Sequence, residues 1–254
     1  DVYKRQDMIL GTYYLTVVRE NTKDNAKTFA TYDEVMLAYE AGVIGLQDVL
    51  YIRMPGYGRV ETTAGRLIFN NALFPELWQY EKREDGTYSL GKVMDKKTVG
   101  KLVDQCFQLF GNEKTAELLD RIKSLGYSFA RRAGMTVAIA DIKVPEVKTS
   151  LLDTAEQEVE KVSRMYRRGL ITEEERYRKT IQLWTQATED VTDAMMDNMA
   201  RDKDGFNPVY MMAISGARGN KQQIRQLAGM RGLMADPSGR IIDLPIKANF
   251  KEGL

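Results

Sequence analysis

Three features of the sequence predict an α+β chain: short runs rich in β-branched and aromatic residues, two long apolar stripes at helical spacing, and a closing stretch dense in glycine and arginine. They divide it into a mixed α+β part over residues 6–145, a projecting antiparallel α-helical hairpin over 146–203, and a Gly/Arg-rich loop and helix segment over 204–254. Residues 1–5 carry no pattern that fits the rest of the chain. They resemble a translated sequencing-adaptor remnant and are excluded from the fold expectations.

In the mixed part, Thr31 is a candidate N-cap for an amphipathic stretch with Asp33 and Glu34 in its first turn and Val35, Met36 and Tyr39 on one side. Residues 45–54 read as a turn and short strand centred on Val49, Tyr51 and Ile52. Residues 62–70 are a second strand candidate, in which Gly65 marks a bulge or a close backbone approach. Two helical patterns over 96–125 break at Gly111 and Asn112. Alternation of Met135, Val137 and Ile139 predicts a further strand over 134–144, ended by Pro145.

The hairpin is read from spacing. Leu151, Ala155, Val159, Val162 and Tyr166 recur at intervals of 4, 4, 3 and 4 and fall on one helical face. Tyr177, Ile181, Trp184, Ala187 or Thr188, Val191, Met195 and Met199 form a second stripe. Between them Gly169 suits a left-handed residue just past a helix end, and Thr172 with Glu175 has the spacing of a capping box. Helices joined by so short a turn are antiparallel neighbours. Their single narrow seam and charged flanks suit an arm that projects from a body.

The closing stretch 206–235 contains Arg218, Lys221, Arg225 and Arg231, no acid, and Gly216, Gly219, Gly229 and Gly232. Residues 222–233 can be helical, with Ile224, Leu227 and Met230 or Leu233 inward. Asp236-Pro237-Ser238-Gly239 is a turn, and 240–246 a strand-like run.

Composition narrows the chemistry. Among 254 residues 43% are hydrophobic and 29% charged, the formal charge is +1, and no histidine occurs. A Ser-His-Asp triad and a His-ligated zinc are therefore excluded. The single Cys106, in an apolar run with Leu102, Val103 and Phe107, forms no internal disulfide or cysteine cluster and reads as a small core residue. No apolar run approaches the ~18 residues of a membrane span, and a cytoplasmic location is expected. Four basic residues on a nearly neutral chain supply too few phosphate contacts for a free-standing nucleic-acid binder. A helical-hairpin adaptor that binds protein partners is the alternative reading.

Six blocks in order resemble the largest catalytic subunit of bacterial DNA-dependent RNA polymerase: residues 6–16, 62–70, 169–177, 210–220 (Tyr-Met-Met-Ala-Ile-Ser-Gly-Ala-Arg-Gly-Asn), 223–234 and 245–254. The resemblance implies an internal fragment running from a pore domain, through a hairpin that rims the secondary channel, into a loop that braces the active site. The magnesium-binding aspartate motif, bridge helix and trigger loop are expected outside it. No catalytic or metal-ligating residue is therefore expected within it, and the fragment alone should be inactive. Mg2+ and two-metal phosphoryl transfer belong to the whole enzyme. By resemblance Arg218 is the substrate-binding residue, placed near the phosphates of the incoming nucleoside triphosphate, where a guanidinium between glycines can bind bidentately. Gly216, Gly219, Gln223, Arg225, Gln226 and Arg231 are expected to brace the loop. Glu174, Glu175, Arg176 and Lys179 at the hairpin tip are expected to dock secondary-channel transcript-cleavage factors. Arg178 stands where members with the best-defined alarmone site have asparagine, which weakens the expectation of alarmone binding, although Lys179 is retained. The implied partners are the beta, alpha, omega and sigma subunits, the DNA template and RNA product, with nucleoid association.

Overall fold

The computed structural model describes residues 2–84 and 86–253, with side chains from Gln6 onward, and the chain divides into two units, each with its own core. The first runs to Thr136 and includes the short segment Ile214–Arg218; the second comprises Val137–Ala213 and the chain from Gly219 on. Asp1 and Leu254 lie outside the described residues. Backbone 2–5, for which no element was expected, is the first turn of a helix.

That helix, α1 (Val2–Thr16), is absent from the sequence expectations, and its burial explains why. Ile9, Gly11, Thr12, Tyr13, Leu15 and Thr16 are all buried, so no polar face alternates with an apolar one. The hydroxyls of Thr12 and Thr16 are satisfied within the helix, donating to the carbonyls of Met8 and Thr12 at 3.1 and 2.8 Å. Thr16 Oγ1 also accepts from the Met94 N–H at 2.8 Å.

The next segments build a five-stranded mixed sheet. Strand β1 (Lys27–Phe29) lies parallel to β2 (Val49–Met54), which pairs antiparallel with β3 (Gly58–Thr63); β4 (Tyr80–Lys82) and β5 (Tyr88–Leu90) complete the order β1-β2-β3-β5-β4. Helix α2 (Tyr32–Glu40) begins where expected: Thr31 Oγ1 accepts from the Glu34 N–H at 3.3 Å. The strand expected over 62–70 is corrected. Pairing ends at Thr63, whose hydroxyl caps a helix, α3 (Ala64–Asn71). The β-branched pair Thr62-Thr63 gave the strand signal, yet the capping hydroxyl redirects the backbone at Ala64. Gly65 is indeed a close backbone approach, since a Cβ there would stand 1.9 Å from the Leu15 carbonyl oxygen.

Helix α4 (Lys96–Ala133) carries the expected break: Gly111 has φ 74° and ψ −168°. Cys106 is fully buried in the first core, with Leu15, Phe69, Leu102, Leu118 and Ile122. The strand expected over 134–144 is a second correction. Only a single 3-10 turn forms, at Ile139–Asp141, and Val137 and Ile139 are exposed. Alternation without a surface to cover does not make a strand.

In the second unit α5 (Lys148–Arg167) and α6 (Glu173–Arg201) pack along a seam of Leu152, Ala155, Trp184, Ala187 and Val191. In the first stripe Ala155 is buried as expected, Leu152 is buried where Leu151 was expected, Leu151 is only partly buried, and Tyr166 is exposed at its end. Helix α7 (Pro208–Ile214) and helix α8 (Lys221–Ala228) come next; Val209, Ile224 and Ala228 pack with Met195 and Met199 of α6. Helix α8 ends at Ala228, before the residue 233 expected. Asp236 closes its turn by accepting from the Ser238 and Arg240 N–H groups, both at 2.9 Å. Beyond it, the strand-like run 240–246 makes only isolated bridges, Ala235 with Ile241 and Gly232 with Ile246.

The entry to this unit is fixed by Asp141. Its carboxylate accepts from Lys203 Nζ at 2.5 Å and from the Ala138 N–H at 2.9 Å, and these bonds hold its pKa below the usual carboxylate range. A depressed carboxyl contributes stability that is complete above its unfolded value of about 4 and is lost as pH falls through the lower folded value. Asp141→Asn should therefore weaken the chain at about pH 7 and flatten its loss of stability between about pH 5 and pH 2. Urea unfolding across that range checks this; an acid limb unchanged by the substitution would refute it.

Candidate functional site

The expected site residues fall in both units. In the first, Ile214–Arg218 is held against the start of α4: the Ser215 carbonyl accepts the Lys96 N–H at 2.9 Å, and Asp95 caps the same helix through the Thr98 N–H at 2.7 Å. Gly216 has φ +70°, and a Cβ there would approach Lys96 Cβ to 3.1 Å, so a left-handed turn and a tight contact both require glycine. Ala217 packs on the first core, and its N–H donates to Ser215 Oγ at 3.2 Å. These contacts leave Arg218 exposed on a tethered backbone, with Nη1 donating to Gln6 Oε1 of α1 at 3.4 Å. A fork so placed can take a phosphate or carboxylate by two parallel bonds. Gln6 and Lys96 were not singled out in the sequence; no local pattern reports a contact across 212 positions.

The remaining loop residues lie in the second unit. Asn220 caps α8 by accepting the Gln223 N–H at 2.9 Å, after Gly219 at φ +84°. The Gln226 carbonyl accepts the Phe250 N–H at 2.9 Å, and the Arg231 guanidinium stands 5.1 Å over the Phe250 ring. Fully buried Asn249 donates to the Gly229 carbonyl at 3.0 Å, which fastens the closing segment to the end of α8. Arg225 is half-buried, and its Nε has no hydrogen-bond partner among the described residues.

At the turn between α5 and α6 the sequence pattern is met in detail. Gly169, at φ +71°, donates to the Tyr166 carbonyl and Leu170 to that of Met165, the paired bonds of a Schellman end. Thr172 and Glu175 form the capping box, the Thr172 N–H reaching Glu175 Oε2 at 2.9 Å and the Glu175 N–H reaching Thr172 Oγ1 at 3.2 Å. That backbone bond holds the Glu175 carboxyl below its usual range. Arg176 is engaged on two sides, with Glu173 at 2.5 Å and Asp243 at 2.9 Å, and these bonds raise its pKa. Tyr177 Oη donates to the Ile241 carbonyl at 2.7 Å. Arg176 and Tyr177 thus pin the 240–243 segment to the tip, whereas Glu174 and Lys179 are exposed.

Magnesium needs several oxygen ligands. Among the described residues no group of three or more histidine, cysteine or acidic side chains could hold a metal ion. Among the same residues no helix is long and apolar enough to cross a membrane.

Residues 2–142 match the family described as RNA polymerase Rpb1, domain 3, and residues 171–251 match RNA polymerase Rpb1, domain 4. The chain is 55% identical over 249 residues to the DNA-directed RNA polymerase subunit beta' of Pelotomaculum thermopropionicum, and 53% identical over 250 residues to that of Desulforudis audaxviator. Each alignment covers 98% of this chain and 20% of the relative, so the chain spans about a fifth of the length of these subunits.

Proposed function

The chain belongs to the Rpb1 family of RNA polymerase largest subunits, and from that premise we propose that it serves as the portion of a beta' subunit that lines the nucleotide route and presents Arg218 to the incoming triphosphate. The parent activity is DNA-directed synthesis of RNA from nucleoside triphosphates, a nucleotidyl transfer that uses Mg2+ bound outside these residues. The observation that carries the reading is the tethering of Ile214–Arg218: Ser215 and Gly216 are locked to the start of α4, and Arg218 beside them is an exposed residue whose guanidinium donates to Gln6. A preorganised cation costs little further ordering when substrate charge arrives. In this reading α5 and α6 form the projecting channel rim. Exposed Glu174 and Lys179, beside the engaged Arg176, form the surface to which cleavage factors dock.

The proposal is tested by exchange. The corresponding segment of the Pelotomaculum subunit is replaced by residues 6–253, and the polymerase is assembled with its own remaining subunits. Template-directed RNA synthesis within about tenfold of the parent is expected, together with stimulation of transcript cleavage by a secondary-channel factor. Assembly without synthesis would overturn the nucleotide-route reading. Synthesis without factor response, if Glu174→Lys and Lys179→Glu also change nothing, would overturn the docking reading alone.

A further inference from the structure

Arg66 stands in the first turn of α3, half-buried, where its Nε donates to the Thr16 carbonyl at 3.0 Å. A guanidinium offers five N–H donors in a rigid fork, and this bond uses one. Among the described residues no carboxylate comes within ion-pair distance of it. The arginine lines a cleft of about 530 Å³ with Glu20, Glu61, Glu81, Arg83 and Lys92. Two of those carboxylates are committed elsewhere. Glu61 accepts both terminal nitrogens of Arg83, at 2.6 and 2.5 Å, with Lys23 at 3.6 Å, and Glu81 pairs with Lys92 at 2.5 Å. Glu20, exposed at the rim, acts on Arg66 only through its field. Burial accordingly holds the Arg66 pKa below its ordinary value, although the fields of Glu20, Glu61 and Glu81 oppose this.

A cation withdrawn from water without a contacting anion is expensive to keep. The cleft lining holds Arg66, Lys82, Arg83 and Lys92 beside Glu20, Glu61 and Glu81, and Glu61 is already shared by Arg83 and Lys23, so the contacting carboxylates are taken by cations other than Arg66. A carboxylate accepts a guanidinium fork by two parallel bonds, which is the contact Arg66 lacks. Relatives are about five times the length of this chain, so polypeptide able to supply a carboxylate exists outside it.

We infer that the Arg66 cleft is a docking point for an acidic side chain carried by polypeptide outside these residues, whose carboxylate takes the free fork of the guanidinium. The inference rests on the chain being part of a longer subunit, not on the role of Arg218, so the two can fail separately.

The test uses the assembled chimeric polymerase. A photo-cross-linking residue replaces Lys82 at the cleft rim, and the captured peptide is identified by mass spectrometry. The expected capture is one peptide from outside residues 1–254 that contains Asp or Glu. Arg66→Gln should lower its yield about tenfold while the far-ultraviolet circular dichroism of the subunit stays unchanged. Arg66→Glu should be rescued by Lys at the captured acid. Capture confined to these residues, no rescue, or displacement of the peptide by inorganic phosphate would each overturn the inference, the last in favour of a phosphate site.

Discussion

Gly11→Ala should destabilise the chain by about 3 kcal/mol or more, because α1 and α4 cross with their backbones in contact. A Cβ at Gly11 would stand 1.8 Å from the Gly126 carbonyl oxygen, 2.7 Å from its carbon and 2.9 Å from the Ala130 nitrogen. None of these is the end of a flexible side chain, so relief requires one helix to move off the other. The crossing is tight from both sides, since a Cβ at Gly126 would meet the Met8 carbonyl oxygen at 2.6 Å. Displacing α4 would also loosen the layer of Ile9, Leu15, Leu118, Ile122 and Phe129. Gly100, in the same α4, supplies the internal control: nothing lies within 4 Å of its missing Cβ. Gly100→Ala should stabilise by about 0.5–1 kcal/mol through helix propensity alone. Urea denaturation of both variants decides the matter. A Gly11→Ala loss under about 1 kcal/mol would mean that the helices are not in backbone contact.

What could be read in the sequence was what short-range chemistry controls. Thr31, Thr172 with Glu175, Gly169 and Asp236 act on neighbours within a few residues, and each forms the cap or turn its type predicts. The break at Gly111 belongs with them. Features decided by tertiary burial could not be read this way. Helix α1 is buried around most of its circumference and shows no amphipathic period, while the alternating Val137 and Ile139 stand exposed and cover no surface. Thr62 and Thr63 look like strand residues, and they are, but the second of them caps a helix that the apolar run Leu67, Ile68 and Phe69 conceals. For the candidate site the composition of the loop was legible. Its attachment was not, because Gln6, Lys96 and Asp243 reach Arg218, Ser215 and Arg176 from far along the chain.

The second large effect concerns Arg218. A bidentate, charge-assisted contact contributes about 1.5–3 kcal/mol, so Arg218→Ala in the assembled polymerase should lower kcat/KM for nucleoside triphosphates about tenfold to a hundredfold. Arg218→Lys keeps the charge without the fork and should fall between the two. Gln6 is one group that holds Arg218, and Gln6→Ala reads how much of the defect comes from loss of that tether. The deciding measurement is the rate of single-nucleotide addition against triphosphate concentration for the parent, Arg218→Ala and Gln6→Ala enzymes. The account predicts a loss of about tenfold or more in kcat/KM for Arg218→Ala alone. Kinetics unchanged by Arg218→Ala, or an equal loss in Gln6→Ala, would contradict it.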